Sequence, residues 1–251
     1  KPETLTPHID TKKSLLDFHE TNLKLEELLL AVYVPMKYIK PEHRAYYREK
    51  YQTKRNNKVI FSHEDREFLT AKMHRFNLFK RLDSSISAFH QTLTRLLAKI
   101  DSFVAVLENG DGDVVYTEES EEENESASLD YKYDLKVAHL KRDEYLQDLR
   151  TDRFLITDIL KESQQILDEK RDNKLKELTR IIDEKVRTTP YNDGNKKLLI
   201  FSAFADTTRY LYTELDSVCR AAGLSLAMIS GSDMPKINNA SIDASFNSIL
   251  C

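Results

Sequence analysis

Apolar residues fall at three- and four-residue steps through most of this chain, and the pattern changes only near its end. Ser14 to Val34 carries Leu15, Phe18, Leu23, Leu25, Leu28, Leu29 and Val32, a stripe dense enough for a helix with one buried face, and Pro35 ends it. Pro41 with Glu42 in the following turn opens a second helix. Ser62 stands where a cap is needed, with Asp65 three positions on, and Phe68, Leu69, Met73 and Phe76 follow. From His74 to Phe103 the steps through Leu82, Ile86, Phe89, Leu93, Leu96, Ile100 and Phe103 predict one long amphipathic helix. Leu135 to Leu167 resumes the spacing through Leu140, Leu146, Leu149, Ile156, Ile159, Leu160 and Ile166. Asp168 to Val186 continues it with Leu175, Leu178, Ile181 and Ile182. The expectation is a set of long antiparallel helices joined by short turns.

The helical period is interrupted twice. Asn109 to Ser128 begins with turn dipeptides and becomes an acidic run from Glu118 to Glu125, so it reads as a mobile loop. Asn109, Asp111 and Asp113 imitate the start of a calcium loop, but Val114 stands where Gly is required and Ser120 where a bidentate Glu is required, which excludes that site. A hairpin of Val104 to Leu107 against Val114 to Tyr116 across Asn109 and Gly110 is the alternative to disorder. The second break is Leu198 to Phe201, an unbroken apolar run suited to a strand buried on both faces. From Ala205 the steps through Tyr210, Leu211, Leu215, Val218 and Ala222 indicate a helix that Gly223 ends. Leu224 to Ile229 then supplies a second strand, parallel to the first through a right-handed crossover. The expected fold class is therefore mostly α, with the long helices occupying 1–188 and a truncated parallel α/β unit occupying 189–251. Ser232 to Cys251, rich in Ser and Asn, is expected to be irregular.

Composition narrows the function classes. Charged residues make up 32% of the 251 and hydrophobic ones 40%, which suits long solvated helices around one core or two modest ones. The formal charge of -4 gives no general field for nucleic acid, so any such contact needs a local basic patch. Two cysteines, Cys219 and Cys251, form no disulfide framework and fit a reducing cytoplasm. No apolar stretch approaches the roughly 18 residues of a membrane span. Lys1 to Thr11 has no signal pattern, and the start without Met suggests an excised fragment.

Candidate chemistry is sparse. Five scattered glycines offer no phosphate-binding loop, the seven His lack metal spacing, and neither Cys has a His or Cys nearby in sequence, so no catalytic residue and no metal or cofactor site is expected. Tyr33 to Tyr51 interleaves tyrosines with Arg and Lys, which suits either stacking on nucleotides or packing against a neighbouring helix. Lys54 to Lys58 reads as a solvated polar connection. Arg75, Lys80 and Arg81 could neutralise phosphates, with Ser84 and Ser85 as hydroxyl donors. They could equally be a solvated helix face with small residues that permit close packing. The corner from Ser202 to Thr207, where the first strand meets the helix, would present free N–H groups to an anion.

Two stretches resemble a known family. KKLLIFSAFADTTRYLYTEL, from Lys196, resembles the fourth motif that opens the second RecA-like domain of superfamily-two helicases and Swi/Snf-type translocases. FNLFKRLDSSISAF, from Phe76, resembles a block between the two motor domains of a bacterial Swi/Snf-like branch often fused to a phospholipase-D-like domain. KLKELTRII, from Lys174, resembles the linker helix leading into the second motor domain, in the same order. The resemblance implies an incomplete second RecA-like domain in 189–251 and a fragment that lacks the phosphate loop, the acidic metal box and the later arginine motifs, with ATP and Mg as cofactors of the parent. It implies nucleic acid as partner, DNA ahead of RNA, together with the remaining motor domains, while the unpaired edges of a two-stranded parallel sheet separately suggest self-association. Carried over by position, Ser202 follows the strand, Phe204 is the aromatic before the helix, and Asp206, Thr207 and Thr208 open the helix near the nucleic-acid backbone. Ala203 stands where many members have Gln, which removes one side-chain contact. The rival expectation is a non-enzymatic helical scaffold or partner-binding module.

Overall fold

The computed structural model describes residues 4–51, 53–55, 58–61, 63–110, 112–117, 132–187, 197–231, 233–239 and 241. The chain is mostly α: the described residues form seven α-helices and three two-stranded antiparallel ladders. The first helix, α1 (Phe18–Glu27), is capped by Asp17, whose carboxylate accepts from the backbone N–H groups of His19 and Glu20. It stops well short of Val34. The Asp152 side chain, wholly buried, accepts from Leu29 N at 2.6 Å and Ala31 N at 2.8 Å, and Leu30 turns left-handed at φ 53° between them. Backbone donors spent on one carboxylate are lost to a helix, so the chain continues as 3-10 turns at Ala31–Tyr33 and Pro35–Tyr38. These turns bury Val32, Met36 and Tyr38.

Pro41 begins α2 (Pro41–Tyr51) as expected. Tyr47 on this helix is buried, and its hydroxyl meets His139 Nδ1 at 2.9 Å and accepts from Lys136 N at 3.1 Å. The polar connection after it supplies the arms of a hairpin, β1 (Thr53–Arg55) against β2 (Lys58–Phe61). Ser62, the expected cap, lies outside the described residues. The helix it precedes is α3 (His63–Ser84), and α4 (Ile86–Asn109) follows after a single residue. The sequence suggested one continuous helix here. Ser85 interrupts it, because its backbone is extended and its Oγ accepts from Ala88 N at 3.0 Å as the cap of α4. The apolar spacing runs through the break undisturbed, which is why periodicity alone does not reveal it.

Gly110 at φ 77° closes α4. Val104 to Leu107 therefore belongs to that helix and takes no part in a hairpin. The segment β3 (Asp113–Thr117) pairs instead with β4 (Lys132–Lys136), in the register Val114 to Leu135, and both of these side chains are buried. The acidic run between the two strands lies outside the described residues.

The long α5 (Arg142–Asp168) and α6 (Asn173–Arg187) are joined by a short turn. Phe89, Leu93, Leu96 and Ile100 of α4 share one core cluster with Tyr145, Leu149, Ile156 and Ile159 of α5, and this pair of helices is the centre of the molecule. An N-terminal strap crosses the α5–α6 turn, where buried Arg171 donates from Nε to Asp10 at 2.8 Å.

Beyond 197 the helix is where the sequence puts it: α7 (Ala205–Ala221), ended by Gly223 at φ 67°. It packs on α4 and α6, and with α6 it forms a second, smaller cluster around Ile182, Leu215 and Cys219. The flanking strands differ from expectation. Leu198 to Phe201 joins no ladder among the described residues and is exposed, reaching 73% at Leu199 and 89% at Phe201. Of the second apolar run only β5 (Ala227–Met228) is strand, and it pairs antiparallel with β6 (Lys236–Ile237). A nearby antiparallel partner closes locally, whereas a parallel pair needs a crossover and further strands to cover its edges. Of the stretch from Ser232 expected to be irregular, Lys236–Ile237 is strand and all of 242–251 lies outside the described residues; no described helix is long and apolar enough to cross a membrane.

Candidate functional site

The two stretches that stand far apart in sequence, Lys80 to Ser85 and Ser202 to Thr208, meet at the start of α7. Arg81, on the last turn of α3, donates from Nη1 to Asp206 Oδ2 at 2.9 Å, with side-chain exposures of 4% and 9%. Arg95 from α4 reaches the same oxygen at 2.8 Å, and Arg209, one turn along α7, takes Oδ1 at 3.0 Å. Arg209 also donates from Nε to Asp233 at 2.8 Å. The Arg81 guanidinium lies 4.7 Å from the centre of the Phe204 ring, a cation stacked on an aromatic face. Burial pushes the Asp206 carboxyl up, but the Arg95 and Arg81 charges outweigh it and hold the group below the usual carboxylate range.

Beside the ion cluster runs a row of hydroxyls. Ser85 Oγ lies 3.2 Å from Thr207 Oγ1, Thr207 lies 2.8 Å from Ser84 Oγ, and Ser84 lies 3.4 Å from Ser202 Oγ. Ser202 Oγ can donate onward to the Phe204 carbonyl at 3.3 Å while accepting from Phe204 N at 3.2 Å. Ser85 already accepts from Ala88 N, so a consistent direction runs from Ser85 through Thr207, Ser84 and Ser202 to the carbonyl, using one proton from each. Thr208 turns its hydroxyl back to the same carbonyl at 3.2 Å.

Of the residues singled out from sequence, the structure brings together Arg81, Ser84, Ser85, Ser202, Phe204, Asp206 and Thr207. Lys80 is not among them: its Nζ sits 4.7 Å over the Phe76 ring on the solvent face of α3. Arg75 donates to the Leu28 carbonyl at 2.5 Å and braces α3 on the turn after α1. Sequence reasoning missed Arg95 and Arg209. Arg209 follows Asp206 by three residues, a helical ion-pair spacing that could have flagged it, whereas Arg95 carries no such local signal.

This geometry decides what the corner can do. The first turn of α7 carries its own carboxylate, so the anion its N–H groups would attract is already supplied by Asp206. What faces outward are the arginines, Arg95 at 53% exposed and Arg209 at 38%. Three guanidiniums set against Asp206 and Asp233 leave a small positive excess on a chain that is negative as a whole. Among the described residues no group of three or more His, Cys, Asp or Glu could hold a metal ion. Cys219 is buried, with its thiol pushed up by that burial. No family model, curated protein or solved structure matches this chain.

Proposed function

We propose that the chain is the helical insertion and the start of the second motor domain of an ATP-dependent DNA translocase of the Swi/Snf type, in which α7 is held against α3 and α4 so that the arginines beside it face the nucleic-acid backbone. The observation that carries this reading is the Arg81–Asp206 pair, backed by the Ser84–Thr207 hydrogen bond. These contacts join the two blocks whose wording resembles that family, across more than a hundred residues of chain. A buried ion pair of this kind is geometrically demanding, and losing one partner leaves the other charge uncompensated, so the two elements are held in one arrangement. ATP and Mg belong, in this reading, to motor parts that this chain does not contain.

The test is fluorescence anisotropy with a labelled 30-mer DNA, single-stranded and duplex, together with ATP hydrolysis by the full reading frame. Arg95→Ala and Arg209→Ala should each weaken DNA binding by roughly three- to tenfold, and each should lower the salt slope by about one. Arg81→Ala in the full reading frame should uncouple hydrolysis from DNA while leaving DNA affinity nearly unchanged. Hydrolysis that is absent, or indifferent to DNA, would sink the proposal.

One observation favours the scaffold alternative. Phe68, Leu69, Met73 and Phe76 lie exposed on the same side of α3, beside a groove of about 460 Å³ lined by Leu29, Val34 and Arg75. Contiguous exposed apolar residues of this kind mark contact surfaces. A chain that associates through this face and ignores DNA would be a binding module.

A further inference from the structure

We propose that the open cavity between α6, α7, the α3–α4 junction and the N-terminal Leu5 and Pro7 binds a small organic ammonium ion with an apolar body. Its volume is about 230 Å³, which is roughly eight water volumes and suits a ligand of about eight to ten non-hydrogen atoms. Leu175, Leu178, Ile181 and Leu211 make an apolar wall. At the other side stands Asp172, only 7% exposed.

Asp172 is what makes the cavity selective. Its Oδ1 accepts from Leu175 N at 3.0 Å, the ordinary task of a helix cap, and its Oδ2 accepts from the Tyr210 hydroxyl at 2.9 Å. No cation pairs with it among the described residues. Lys174, which also lines the cavity, turns to Asp83 instead, hydrogen-bonding its carbonyl and lying 3.2 Å from its Oδ1. A buried carboxylate with no ion-pair partner is costly, and a ligand cation would remove that cost. Burial pushes this carboxyl above its ordinary range, and the backbone N–H groups of Leu175 and Lys174, the Tyr210 hydroxyl and the Lys174 charge offset that only in part.

The rest of the lining agrees. Glu177 adds a second negative charge against the single Lys174. The oxygens of Ser84, Ser85 and Thr207, whose protons the hydroxyl row consumes among its own members, offer further acceptors for N–H groups. Among the described residues a metal ion would find only one buried carboxylate here and no cluster of ligands. A neutral ligand would leave Asp172 uncompensated. Because the cavity is walled by the same elements that Arg81 and Asp206 join, its occupant would also tighten the seating of α7.

Benzylamine, protonated at pH 7, and benzyl alcohol, its neutral counterpart, test this by ligand-detected NMR and thermal shift on the whole chain. The expected result is at least tenfold tighter binding of benzylamine. Asp172→Asn keeps a capping side chain for α6 and should erase the difference between the two ligands. Leu211→Trp fills the cavity and should abolish both, with circular dichroism confirming that each variant is folded. Equal affinity of the two ligands, benzylamine binding unchanged in Asp172→Asn, or no benzylamine binding below about 10 mM to the folded chain would overturn the assignment. None of these readouts involves nucleic acid, so the result stands apart from the motor reading.

Discussion

His74 shows how a single side chain ties this fold to pH. Its ring stacks on Tyr33 at 3.7 Å between centroids, and Lys99 lies 4.9 Å over the Tyr33 ring. Burial first, and the Lys99 charge second, lower its pKa from 6.5 to about 4. The folded chain thus holds His74 neutral where the unfolded chain would protonate it. The stability this contributes is complete above pH 6.5 and is lost as pH falls toward about 4. The loss amounts to roughly 3 to 4 kcal/mol over that window, at about 1.4 kcal/mol per pH unit. Urea unfolding at pH 7 and at pH 4.5 should show the midpoint falling, and His74→Phe, which keeps the stack, should flatten that fall. Asp152 works in the opposite sense. Burial raises its pKa despite the backbone N–H groups it accepts, so the folded state binds that proton more tightly, and the group costs stability as pH rises through its folded pKa.

Elements in this chain are bounded by side chains from elsewhere as much as by their own residues. The helix α1 ends where Asp152 of α5 takes its next backbone donors, and α3 parts from α4 where Ser85 caps the latter. The apolar ribbon Leu198 to Phe201 is the reverse case, a strand-like sequence with no partner among the described residues. Leu199 and Phe201 bury little of their side chains, so Leu199→Ser with Phe201→Ser should change the unfolding free energy by less than about 0.5 kcal/mol and should reduce self-association in light scattering. A loss of 2 kcal/mol or more would show the ribbon to be packed.

At the scale of the whole molecule the core is divided. The large cluster gathers α1 through α5 with the β3–β4 ladder, while α6 and α7 share the small one around Ile182, Leu215 and Cys219. What ties α7 to the large body includes the Arg81–Asp206 pair and the hydroxyl row. A chain ended at Asn173, which keeps the large cluster and the Arg171–Asp10 pair, should therefore unfold cooperatively, with a Tm lowered by only a few degrees. By contrast, Leu149→Ala, at a wholly buried site on α5, should cost about 2 to 5 kcal/mol. Differential scanning calorimetry of both variants checks the division, and collapse of the truncated chain would show a single indivisible core.

Helix content and the apolar faces of α4, α5 and α7 were legible in the sequence, because a period of three to four residues is a local property that packing only has to satisfy. Gly223 at the end of α7 and Pro41 at the start of α2 were legible for the same reason: each acts through its own backbone. Part of the candidate site was legible too, since Arg81 and Ser84 stand out by residue type and Asp206 by its place in a stretch that resembles a known motif. What those side chains face was decided only by the tertiary structure. Asp206 meets Arg81 across α3, Arg95 enters from α4, and Asp152 cuts α1 short from more than a hundred residues away. Hydrogen bonds and ion pairs between distant elements leave no period along the chain, because both partners must be positioned by packing before either has anything to bind.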